Sequence, residues 1–87
     1  MTGTTTEKLA RYETALETLG LMVAMRTHWI EDQLKQAVPD AARISQWEKE
    51  QDQFEQEESA LLFEDTAGIE NVIDTYGPVV RSHVTSL

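Results

Sequence analysis

Leu16, Val23 and Ile30 stand seven residues apart, and so do Trp47, Phe54 and Leu61. Read backwards, the second trio mirrors the first about a point between Val38 and Pro39. A helix should stop at that point, because proline disfavours the α conformation in the residue before it and has no N–H to continue the hydrogen-bond ladder. The spacing therefore predicts two helices folded back antiparallel, with Val23 beside Phe54 and the turn at Val38-Pro39-Asp40.

Caps and stripes set the expected boundaries. Thr4, with Glu7 three residues on, fits a capping box after a frayed tail at residues 1–3. The first helix should run from about 5 to 37, with Gly20 tolerated inside it because no proline or polar loop follows. A second helix capped by Asp40 should span about 40–64. Asp65-Thr66 offers a new cap, and Ile69, Val72, Ile73 and Tyr76 form the i, i+3, i+4, i+7 stripe of a shorter third helix over 66–76. Gly77-Pro78 should end that helix, leaving 79–87 unassigned. The expected architecture is all-α, a long antiparallel helical hairpin with a shorter third helix, assembled as a dimeric helical bundle.

The expectation of a dimer comes from size and from an apolar excess. A chain of 87 residues forms a single domain of marginal stability, and with no cysteine it has no disulfide or thiolate zinc site to supplement its core. Leu19, Met22, Met25 and Trp29 widen the apolar face of the first helix beyond what one hairpin partner covers. Either the third helix takes up the excess as ordinary core, or these residues form an association surface for a second subunit; the second is the preferred expectation. The other inward heptad position pairs Leu19 with Glu58, Arg26 with Gln51 and Gln33 with Ile44. Arg26 should then either snorkel to solvent or lie in the seam, bonded to Gln51 or Glu58, and fix the register.

Charge narrows the function. The net charge of −9 disfavours direct binding to nucleic acid or an anionic membrane and favours a basic protein partner. No apolar stretch is long enough to cross a bilayer, and the start lacks the features of a signal peptide, so the expected location is cytoplasmic. Between Asp40 and Asp65 lie nine acids and two bases. On that helix Glu48, Glu50, Asp52, Glu55, Glu57, Glu58 and Glu64 make an acidic ridge, for which the first helix offers no cations at the matching heptad positions. The ridge is either a solvated face or a docking surface for a basic protein.

Catalytic chemistry finds little support. His28, Glu31 and Asp32 share a helical face that would lie opposite Glu48 and Asp52, a weak metal-site candidate, but the paired Glu-x-x-His pattern of carboxylate-bridged bundles is absent. No glycine-rich phosphate loop or activated nucleophile occurs, and no cofactor is implied. The ending Val84-Thr85-Ser86-Leu87 suits carboxylate capture by a PDZ-type groove, a common chance match. The expected function is a non-enzymatic protein-interaction module: a small regulator, inhibitor or assembly subunit that binds a basic partner and self-associates. The alternatives are a nucleic-acid mimic that blocks a DNA- or RNA-binding protein, and a metal-binding oligomeric bundle.

Overall fold

The computed structural model describes residues 4–86; the tail expected at 1–3 and the terminal Leu87 lie outside the described residues. Thr4 opens the first helix, its Oγ1 accepting the Glu7 amide at 3.1 Å, and α1 then runs Thr5–Leu34, about 45 Å at 1.5 Å per residue. Gly20 sits inside α1 without breaking it. The helix ends three residues short of Ala37, because Val38 before Pro39 needs an extended backbone and the chain must already be turning. Gln33 fixes that turn by accepting the Asp40 amide on Oε1 at 2.9 Å.

The side chain of Asp40 caps α2 (Ala41–Ala60) by accepting the Arg43 amide at 3.1 Å. This helix ends four residues before the expected Glu64. Leu61 turns extended, and a short turn closes with the Asp65 amide donating to the Leu62 carbonyl at 3.0 Å. The Asp65 carboxylate then accepts the Gly68 amide at 2.9 Å and caps α3 (Thr66–Ser86).

The largest departure from the sequence reading is that α3 passes straight through Gly77-Pro78. Proline removes one backbone hydrogen bond and crowds the carbonyl of Asp74, but Gly77, without a Cβ, lowers the usual barrier to helix before proline. The apolar stripe also continues beyond the proline, from Ile69, Val72 and Tyr76 to Val80, which is only 9% exposed. Burying that extension against α1 offsets the lost bond.

Along α1, α2 runs back antiparallel and α3 returns parallel. Arg26 meets Glu50, Thr27 meets Gln51, Trp29 meets Trp47 and Gly20 lies beside Glu58. Each of these four pairs falls within one residue of the mirror positions expected about Val38-Pro39. At the far end of the hairpin the Tyr12 hydroxyl donates to the Leu61 carbonyl at 3.2 Å, and its ring meets Phe63 edge-on at 5.8 Å. Arg11 pairs with Glu70 where α3 begins, and the guanidinium holds that carboxyl below its ordinary value.

The core belongs mainly to α1 and α3. Ala15, Leu19, Met22 and Met25 of α1 meet Ile69, Val72 and Val80 of α3, whereas among the described residues α2 contributes only Phe54 to the buried apolar set. The backbones of α2 and α3 pack on α1 but not on each other. Their link is through side chains, with Phe54 edge-on to Tyr76 at 5.2 Å. No helix is long and apolar enough to cross a membrane among the described residues.

Candidate functional site: the two faces of the acidic helix

The carboxylates of the ridge do not act as one surface. A helix with Phe54 turned inward places residues near positions 50 and 57 on one shoulder, and those at 48, 52 and 55 toward the opposite side. Glu50 and Glu57 are accordingly half-buried, while Glu48, Asp52 and Glu55 are exposed. Glu58 is half-buried beside Gly20, its Oε2 3.5 Å from where a Cβ would stand. Glu64 is exposed but lies in the turn beyond α2 and so departs from the helical ridge.

Glu50 corrects the expectation that α1 offers the ridge no cation. Arg26, with a side chain only 12% exposed, donates from Nε to Glu50 Oε1 at 2.8 Å and from a terminal nitrogen to the Met22 carbonyl at 2.9 Å. Its guanidinium lies 4.7 Å from the Phe54 ring centre and 5.0 Å from that of Trp29, within range of cation–π attraction. Gln46 donates to the other Glu50 oxygen at 2.9 Å. The Gln46 bond and then Arg26 hold the Glu50 carboxyl below its ordinary value, against the opposing effect of burial. Gln51, the partner expected for Arg26, instead donates to Thr27 Oγ1 at 2.8 Å. Arg26 thus lies in the seam, with its partner one residue away from the one the heptad pattern named.

Glu57 faces the space between α2 and α3. Its Oε2 is buried without a hydrogen-bond partner. Burial first, and then the Glu57 charge, push the Tyr76 hydroxyl above its ordinary value.

Among the described residues, no cation pairs with Glu48, Asp52 or Glu55. Asp52 and Glu55, with Gln56, Ser59 and Ala60, line an open depression on the outer side of α2. Such a surface supplies carboxylates one helical turn apart to whatever approaches from solvent, and it encloses no water-free volume for catalysis.

The association surface expected on α1 is also corrected. Leu19, Met22 and Met25 are 0%, 3% and 6% exposed, covered within the chain in one cluster with Ile69, Val72 and Val80 of α3 and Phe54 of α2, and α3 continues past Tyr76 to stand beside Met25. Only Trp29 of that set remains partly open, its ring tilted at 49° against Trp47 with centroids 5.7 Å apart. His28 pairs with Asp32 one turn along α1 at 3.3 Å, and both are exposed. Glu31 is exposed as well, and no group of three residues able to hold a metal ion, Glu48 and Asp52 included, forms among the described residues.

No protein family, curated protein or solved structure matches this chain.

Proposed function

We propose that the protein is a non-enzymatic interaction module, a small regulator, inhibitor or assembly subunit, that docks the outer face of α2 on a basic protein and works as a homo-oligomer in the cytoplasm. The observation that carries the reading is the sorting of charge on α2. The inward-shoulder Glu50 is neutralised by Arg26, whereas Glu48, Asp52 and Glu55 stay exposed and unpaired on a chain of net charge −9. Like charges one turn apart on a helix destabilise it. A basic partner relieves that repulsion on binding and is drawn in by the long-range field.

The test is capture of basic proteins from an extract of the source cells by the tagged full chain, in parallel with the triple variant Glu48→Gln, Asp52→Asn, Glu55→Gln. The reading expects a basic protein held at low salt, released at high salt, and bound about tenfold less by the variant. Equal capture by both chains, or capture indifferent to salt, refutes it. Competition by duplex DNA or RNA for the captured protein would identify the outer face as a nucleic-acid mimic, the narrower form of the same reading.

A further inference from the structure

Trp29 lines two open clefts, one toward α3 and one toward α2. One, of about 490 Å³, is almost wholly apolar and runs from Met25 and Trp29 to Pro78, Val79, Ser82 and His83 of α3. The other, of about 540 Å³, continues toward the hairpin turn between Trp29 and Trp47, with Asp32, Gln33, Gln36 and Arg43 at its edge. Together they make a groove with an apolar end and a polar end. Val79 is 43% exposed within it.

The groove's charges are self-complementary. Its rim carries one anion, Asp32, and one cation, Arg43, both exposed; among the described residues Arg43 makes no ion pair, and the Asp32 carboxylate pairs only with His28. In a two-fold dimer every contact occurs twice, so a rim with one charge of each sign pairs with its own copy. The exposed carboxylates Glu48, Asp52 and Glu55 line neither cleft, so closing the groove does not require bringing them together.

We propose that the Trp29 groove is the interface of a two-fold dimer, in which the indoles and Val79 are covered by the second copy and Arg43 meets Asp32 of the partner subunit. The proposal rests on the oligomeric half of the functional reading and is independent of the acidic face. It identifies Trp29 and Val79, with Met25 at the edge of the same cleft, in place of the buried Leu19 and Met22, as the association surface.

Sedimentation velocity over a dilution series of the full chain tests it, with tryptophan emission as a second readout, since Trp29 and Trp47 are the chain's only tryptophans. The expected species has twice the 9.9 kDa mass of one chain and dissociates on dilution with a red shift of emission. Val79→Glu should abolish the dimer, with far-ultraviolet circular dichroism unchanged. Arg43→Asp should raise the dissociation constant about tenfold, because two symmetry-related ion pairs are replaced by repulsion. Adding Asp32→Arg to Arg43→Asp should restore much of the affinity. A monomer at all concentrations, an assembly larger than two, a dimer indifferent to both single variants, or no recovery in the double variant overturns the proposal. Capture of a basic partner through α2 would survive any of these failures.

Discussion

Replacing Arg26 with methionine removes the one cation that, among the described residues, ties α2 to α1 by an ion pair, while keeping most of the side chain's volume and its apolar stem. The charge-assisted bond to Glu50, 30% exposed on the acid's side, is worth about 1 kcal/mol after solvent screening. The contacts with Phe54 and Trp29 add about 1 kcal/mol together. The Met22 carbonyl loses only its second partner, because the helix ladder still supplies the first, so that term is a few tenths of a kcal/mol. The total, roughly 2–3 kcal/mol, is a large fraction of the stability of a chain this size. Unfolding entropy of about 2.1 cal/mol/K per residue turns it into a fall in Tm of roughly 11–16 °C. Urea unfolding followed by circular dichroism at equilibrium would measure it. A double-mutant cycle with Glu50→Gln should return a coupling of about 1 kcal/mol. If Arg26→Met were as stable as the parent, the desolvation of the guanidinium would cancel its bonds, as happens when buried ion pairs are replaced by well-packed apolar groups. The account of Arg26 as a stabilising clasp would then be wrong.

The glycines of α1 and α3 should respond oppositely to alanine. Gly20→Ala places a methyl 3.5 Å from Glu58 Oε2, an ordinary contact, and should gain about 1 kcal/mol from helix propensity; Gly68→Ala drives its methyl into the Asp65 carboxylate and should cost about 1 kcal/mol with the cap. Thermal unfolding of the pair would decide, and the same sign for both would refute the packing argument. Because Glu50 titrates below its ordinary 4.5 in the folded chain, its stabilising contribution is present above that pH and is lost as the pH falls through the lower, folded-state value. Glu50→Gln should therefore flatten the acid limb of a plot of urea midpoint against pH, and an unchanged limb would remove Glu50 from the account. Pro78→Ala restores an amide donor to Asp74 and should stabilise the chain by about 1 kcal/mol or more, measured by the same unfolding curves.

The hairpin was legible because its information is local. Leu16, Val23 and Ile30 and their mirror trio lie at one heptad position each, Thr4, Asp40 and Asp65 are cap residues in the right places, and Pro39 marks the turn. The reading faltered where local and tertiary preferences disagree. Pro78 is a stop signal in any isolated segment, and only the berth that α1 offers to Val80 shows that the helix continues. Met22 and Met25 looked surplus because their cover comes from residues distant in sequence, Phe54 of α2 and Ile69, Val72 and Val80 of α3. In the candidate site, the acidic character of α2 could be read from composition, but the division of its carboxylates into clasped Glu50, enclosed Glu57 and open Glu48, Asp52 and Glu55 could not. A shift of one residue in register exchanges Gln51 for Glu50 opposite Arg26, and heptad spacing does not resolve so small a difference.

The helix that stands between the other two in the chain is the one least bound to the core. With Phe54 as its sole buried apolar side chain among the described residues, α2 should open before Leu19, Met22, Ile69 and Val72 part from one another. Its amides should then exchange with deuterium through a partial opening of lower free energy than global unfolding, leaving α1 and α3 as a slow-exchanging pair. The segment from Gln33 to Asp65 would behave as a tethered flap, closed by an arginine sandwiched between two rings and free to swing without dismantling the rest.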